Sequence, residues 1–377
     1  MRSNHPLRRW AWLTLLLVMG LAAGQAFGQR TAPSLGPLPR VPVPADNPMT
    51  PEKVELGKLL FFDPRLGGDK STPCSRCHLP DQGWGTETPL SPGYPGTQHW
   101  RNAQTLLNAA YYAKLFWEGS SLSLESQAPA AAGGNVAGNG DDMMMEERLA
   151  QVPEYVRRFK EVFGVDRPTI AHAWLAIAAF ERTLVSDPAR VPFDRYAKGD
   201  SGALSASAKR GLALFTGKAR CVQCHSGPLF SDQAYHNLGL LEHPLFRTMP
   251  VAQITHRYEQ YIKGVTEERY RAADRDLGLY YVTKRGDDVG KFRTPSLREL
   301  QYTAPYMHNG LFETLEQVIT FYDAGGGPAP GKSPLMTPLG LTGPETADLR
   351  AFLLSLSSDA PPHVMDEPEL PPYAVMK

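Results

Sequence analysis

Two pentapeptides of one plan constrain this chain more than anything else in it: Cys74-Ser75-Arg76-Cys77-His78 and Cys221-Val222-Gln223-Cys224-His225. Together they hold all four cysteines of the 377 residues. Two thiols three residues apart reach the two vinyl groups of one porphyrin, and the histidine that follows falls beneath the iron as its proximal ligand. A disulfide, a redox-active pair or a zinc site would use the same cysteines, yet none of these requires His directly after each pair. The pentapeptides therefore predict two covalently bound c-type haems. Chain that wraps such groups must be loop-rich, and Gly and Pro, 34 each, agree.

Lys+Arg and Asp+Glu are both 39, so no charge imbalance points to nucleic acid. Arg2, Arg8 and Arg9 precede an apolar run from Trp10 to Ala23, and Ala26-Phe27-Gly28 offers small residues for cleavage. This reads as a signal peptide over 1–28, with the periplasm as destination and no stable membrane insertion after cleavage. An uncleaved anchor is the alternative, but the run is short for a bilayer.

A Pro-rich arm follows over 29–48. Thr50 before Pro51 opens a helix to about Phe62, and residues 63–100 are dense in Gly and Pro and read as irregular loop. Helices are expected over 102–117, 145–163 (distorted near Pro153 and closed by Gly164) and 169–186, the last apolar on most sides. Further helices should start after Ser205, after the Thr314/Gln317 capping box and after the Thr342/Glu345 capping box, the last two over 315–323 and 344–356. The expected fold is mainly α, two cytochrome c-like haem domains with long loops and little β structure. In each half a Gly-x-x-Leu-Phe helix (Gly57–Phe61, Gly211–Phe215) precedes C-x-x-C-H, a weak internal repeat. The domains are drawn at 49–190 and 191–358, with a tail over 359–377.

The chain resembles the bacterial dihaem cytochrome c peroxidases and their MauG relatives from about Pro48 to Leu356. The carrying segments are L-G-K-L-L-F-F-D-P-R-L, R-N-A-Q-T-L-L-N-A-A, F-W-E-G, A-A-F-E-R-T-L, the stretch around the second pentapeptide, F-R-T-P-S-L-R and T-A-P-Y-M-H-N-G. The resemblance implies a peroxidatic N-terminal haem, where hydrogen peroxide reacts, and a six-coordinate, electron-transferring C-terminal one. It puts Trp117 between the haems, Arg293 near haem propionates, and a calcium ion on Asn102 and the carbonyls of Thr303 and Pro305, oxygen donors that suit calcium.

The resemblance bears on the sixth ligand of the second haem as well. The peroxidase branch has Met fourteen residues after the His of P-Y-x-H-x-G; this chain has Tyr322 there, as the MauG branch does. A phenolate would stabilise ferric and higher-valent iron and lower the potential. On the residues alone Tyr322 is an ordinary aromatic in a last helical turn, and Met307 and Met336 compete for the role. His99, His236, His243, His256 and His308 are the further candidate ligands, among which periodicity does not choose. The family's distal Gln matches Gln127, but its distal Glu aligns with Ala137. Asp141, Asp142 or Glu146 would replace it only if the Gly-rich loop 133–140 folds inward. No His matches the one that blocks the peroxidatic haem in resting peroxidases, so that haem is expected to be open.

The implied activity is peroxide reduction at the first haem. Electrons would come through the second from a small cytochrome c or cupredoxin, or from a Trp or Tyr of a protein substrate. A non-catalytic dihaem electron carrier is the rival reading. Iron analysis and intact mass are expected to return two haems per chain and no free thiol; replacing Cys74 and Cys77 by Ala should remove one haem and leave the other.

Overall fold

The computed structural model describes residues 34–374; the expected signal peptide lies outside them. Helices dominate, and the β structure is a two-residue antiparallel pair, Tyr235–His236 with Phe292–Arg293. In chain order the helices are α1 (Pro51–Phe62), α2 (Leu124–Ala132), α3 (Asp142–Ala150), α4 (Pro153–Phe163), α5 (Ile170–Glu181), α6 (Pro192–Ala197), α7 (Ala206–Thr216), α8 (Pro244–Thr248), α9 (Pro250–Ile262), α10 (Glu267–Arg271), α11 (Tyr280–Thr283), α12 (Leu315–Asp323) and α13 (Gly343–Leu354). Among the described residues no helix is long and apolar enough to cross a membrane.

The caps follow the sequence signals. Thr50, Thr169 and Ser205 each accept a hydrogen bond from the third residue of their helix, and both expected capping boxes form, Thr314 with Gln317 and Thr342 with Glu345. Gly164 closes α4 in the left-handed conformation, where a Cβ is costly.

Three expectations are corrected. Residues 102–117 are not a helix: apart from one 3₁₀ turn at Ala109–Tyr111 they run irregularly. Their backbone bonds outward, Asn102 N–H to His308 O, Leu106 N–H to Trp84 O and Asn108 N–H to Leu184 O, and Asn108 and Phe116 have positive φ. Residues 145–163 are two helices, because Pro153 has no N–H to continue the ladder and holds Val152 extended. The apolar helix ends at Glu181, not 186. Helix α2 and the α8–α10 segment were not foreseen.

The internal repeat is real in three dimensions. Helix α1 packs on α5 through Gly57, where an added Cβ would meet the Ala176 carbonyl oxygen at 1.9 Å. Helix α7 packs on α13 through Gly211, where it would meet the Asp348 carbonyl oxygen at 2.0 Å. The aromatic that follows each glycine packs likewise: Phe61 on Phe180 with ring centroids 5.4 Å apart, Phe215 on Phe352 at 5.1 Å. One main apolar cluster draws its buried residues from Leu56 to Leu184, the other from Val191 to Leu356. The arm is tied down by Arg298, which is buried, pairs with both oxygens of Asp194 at 2.9 and 3.0 Å, and donates to Gly36 O.

Gly57→Ala and Gly211→Ala should each destabilise by roughly 1–3 kcal/mol in denaturant unfolding, although alanine favours an open helix by about 1 kcal/mol. Gly36→Ala, with nothing within 4 Å, should stay within about 0.5 kcal/mol of the parent.

Candidate active site

Each pentapeptide opens on its own cavity. The first, about 310 Å³, is lined by Cys74, Cys77 and His78; the second, about 260 Å³, by Cys221, Cys224 and His225. The two share a wall: Asn102, Ala103, Gln104, Thr105, Tyr112, Trp117 and Arg293 line both.

The histidines are oriented from behind. His78 Nδ1 lies 3.2 Å from Trp84 O, and His225 Nδ1 lies 2.9 Å from Phe230 O. A carbonyl only accepts, so Nδ1 carries the proton and the Nε2 lone pair is left for a metal. Burial lowers both imidazole pKa values, favouring the neutral, ligating form. Burial also pushes the Cys74 and Cys221 thiols up to about 12 and Cys77 up to about 11, the mark of apolar surroundings that suit a porphyrin face.

Arg293 offers the clearest sign of a missing anion. It is buried, its guanidinium lies 3.5 Å over the Tyr112 ring, and Nη2 donates to Gln104 Oε1 at 3.2 Å. Its Nε and Nη1 have no partner among the described residues. Buried guanidinium donors are rarely left unpaired; haem propionates bordering the shared wall would complete them. The donor set, the cavities and these orphaned atoms thus fit two haems.

The wall is held by its backbone. Trp117 Nε1 donates to Asn102 O at 2.9 Å, and Arg293 N–H donates to Trp117 O at 2.9 Å. The Asn102 amide donates to Thr88 O at 3.0 Å, while its Oδ1 has no bond among the described residues. Thr303 and Pro305 line the second cavity on the other side of the wall.

Tyr322, in the last turn of α12, lines the second cavity. Burial, then the neighbouring Cys221 and Cys224 sulfurs, raises its phenol pKa. Met307 and Met336 line the same cavity. His308 does too, but it is stacked on Phe292 with centroids 3.6 Å apart. His256 is buried beside Trp100, Phe246 and Tyr281, His243 caps α8, and His236 sits 3.1 Å from Asp232.

His99 lines the first cavity, stacked on Trp100. Its Nδ1 accepts the Arg101 N–H at 3.1 Å, so the neutral ring carries its proton on Nε2 and presents a donor there, not a lone pair. Gln127 and Ala137 both line this cavity, and Gly134, Val136 and Gly138 show that the loop does fold inward. The acids beyond it do not follow. Asp141 caps α3, Asp142 is exposed, and Glu146 accepts from Ile170 N–H at 2.8 Å.

Two groups escaped the sequence reading. Glu181, at the end of α5, lines the first cavity, and burial pushes it up to about 8. A lone acid at the spacing of Ile170, Ala173 and Ile177, the buried face of an apolar helix, was the available signal. The other is a buried ion cluster: Arg101 pairs with Asp276, Nη2 to Oδ1 at 3.0 Å, and with Glu118. Burial opposes both carboxylates, but Arg101 outweighs it and holds them below the usual range. Trp100 Nε1 also donates to Asp276, at 2.9 Å.

Comparisons with known proteins agree with two haem sites in the chain. A family model described as di-haem cytochrome c peroxidase matches residues 51–202. Cytochrome-c peroxidase IdrP1 of Denitromonas iodatirespirans is 61% identical over 350 residues, 93% of either chain. Methylamine utilization protein MauG of Methylorubrum extorquens is 39% identical over 334 residues, 88% of this chain and 85% of its own. A solved structure of a MauG-like protein associated with microbial copper homeostasis has a TM-score of 0.72 at 31% identity, covering 87% of this chain and 98% of that one.

Asp276→Asn should cost about 3–5 kcal/mol at neutral pH, because it leaves Arg101 buried with one partner fewer. The folded pKa of Asp276 is depressed, so its contribution is present above the ordinary carboxylate range and lost as the pH falls. The gap between parent and variant in urea midpoints should therefore narrow in acid.

Proposed function

The chain belongs to the dihaem cytochrome c peroxidase family, and on that premise we propose that this peroxidase takes hydrogen peroxide into the first cavity and draws electrons through the second. The observation that carries the reading is the asymmetry between the cavities. The first offers His99 only as a donor, and its remaining lining beyond the pentapeptide includes Gln127 and a run of alanines and glycines that bring no ligating atom. The second offers Tyr322 beside the cysteine sulfurs. A haem held by His78 would therefore keep a position for peroxide, while one held by His225 would find a second ligand in Tyr322.

The bound haems supply iron that binds peroxide and exchanges electrons. The chain supplies the rest. His78 and His225, each tethered through Nδ1, hold their Nε2 lone pairs toward the cavities. Arg293 would meet haem propionates at the wall with its two free donors. Trp117 lies in that wall, its ring fixed by the bond to Asn102 O, and is the aromatic through which the two sites exchange electrons. Asn102 Oδ1 and the Thr303 and Pro305 carbonyls would hold one calcium ion, since no described backbone N–H bonds to those carbonyls. Gln127 orients peroxide as an uncharged amide.

The donor is a small cytochrome c or cupredoxin, in keeping with the cytochrome-c peroxidases that the chain is similar to. Tyr322 favours a second reading, in which a Trp or Tyr of a partner protein is oxidised at long range: a hard anionic ligand stabilises the oxidised second site. The protein acts in the periplasm after export.

The ferric holoprotein should show a high-spin band that changes on adding peroxide; a wholly low-spin spectrum indifferent to peroxide would end this reading. Tyr322→Phe should change the spectrum of the second haem and raise its potential. An unchanged spectrum and potential would assign the ligand to Met307 or Met336.

A further inference from the structure

A peroxide site needs a group that moves a proton between the two oxygens, and the position where this family carries that acid is Ala137 here. We propose that Glu181 is the acid–base group of the first cavity, an inference that rests on the peroxide reading above. Its place on the cavity, the internal repeat and the charges around it lead there.

Glu181 lines the cavity together with Gln127, Ala128 and Ala131 of the adjacent α2. It is 4% exposed, and Oε2 has no hydrogen-bond partner among the described residues. An unpaired buried carboxyl is costly to desolvate and is seldom kept without a use. Of the other acids on this cavity, Glu118 is paired with Arg101, and Glu259 is only half-buried, with Lys263 3.9 Å away one turn along α9.

The internal repeat supplies an independent argument. Gly57 meets the Ala176 carbonyl and Gly211 the Asp348 carbonyl, so Ala176 and Asp348 are equivalent, as are Phe180 and Phe352. One residue further along, Glu181 is matched by Leu353, which lines the second cavity. The same place in the same substructure therefore holds a carboxyl where peroxide enters and a hydrocarbon where it does not. Packing accounts for the leucine and leaves the acid unexplained.

Its surroundings suit proton exchange near neutrality. The charged groups facing it are Arg182, which caps its own helix, and Glu125 on α2; Cys74, which lines the same cavity, is a neutral thioether once haem is attached. Arg182 is drawn off by Glu125, at 2.5 Å, leaving burial as the main influence on Glu181. A carboxyl poised this way both accepts and donates at neutral pH. One carboxyl oxygen takes the proton of the near peroxide oxygen while the other gives its proton to the far oxygen. The O–O bond breaks, its electron pair leaving with the far oxygen as water. The near oxygen takes two electrons from the enzyme's reductant and two protons from solvent and becomes the second water. The carboxyl ends as it began.

The test uses the holoprotein with both haems loaded, in parent, E181Q, E181D and E181Q/A137E forms. E181Q should slow the reaction with peroxide about 10²-fold or more, and the added acid in E181Q/A137E should recover at least about tenfold of that. The second readout needs no turnover. Fluoride binding to the ferric protein should weaken about tenfold per pH unit above the titration of the carboxyl, as one linked proton requires, and this dependence should vanish in E181Q. Should E181Q fail to take up both haems, E181D decides: a retained but shifted pH dependence supports the proposal, and an unshifted one overturns it. E181Q matching the parent in both rate and fluoride profile also overturns it. A parent protein inert to peroxide would instead sink the peroxide reading beneath it.

Discussion

A short strip of backbone, Asn102 to Thr105, carries the architecture of this molecule. Its bonds run to other segments: Asn102 N–H to His308 O, Trp117 Nε1 to Asn102 O, and Arg293 N–H to Trp117 O behind it. Because these groups are satisfied across the strip and not along it, the strip stays extended and one layer thick. Two cavities can then lie against its opposite faces and share Trp117, Tyr112 and Arg293. A helix here would have satisfied its own backbone and kept the two sites apart.

Around that wall the two halves are built alike and finished differently. Both use a glycine to bring a helix against a carbonyl oxygen, an aromatic pair to fill the gap behind it, and a backbone carbonyl to hold the proximal imidazole. This shared frame sets where each pentapeptide histidine sits. The differences lie in what projects from it: Tyr322 on one side, Gln127 and Glu181 on the other. One frame thus presents different side chains to its two cavities.

Burial does most of the electrostatic work. It favours the neutral form of His78, His225 and the cysteine thiols, and it leaves Arg293 with two donors that lack a partner among the described residues. Where charge is kept inside, as at Arg101 with Asp276 and Glu118, it is paired and bonded. Glu181 departs from that pattern.

By itself the sequence determined the covalent plan. Two C-x-x-C-H pentapeptides, the capped helices around them and the Gly-x-x-Leu-Phe repeat are local signals, written in residues a few positions apart, and the structure carries each of them. The irregular path of 102–117 was not legible, because the partners that outbid helical bonding, His308, Trp84 and Leu184, lie far along the chain. The same holds for the site. Asn102, Trp117 and Arg293 could be named singly from their motifs, but that they form one wall depends on contacts spanning nearly two hundred residues. Whether an acid reaches the first cavity was likewise a tertiary matter: Asp141, Asp142 and Glu146 are near Ala137 in sequence and turned away in space, while Glu181, more than forty residues on, is delivered by the packing of α5 on α2. Spacing along a chain specifies which groups a short segment presents; only the closing of the core decides which of them meet.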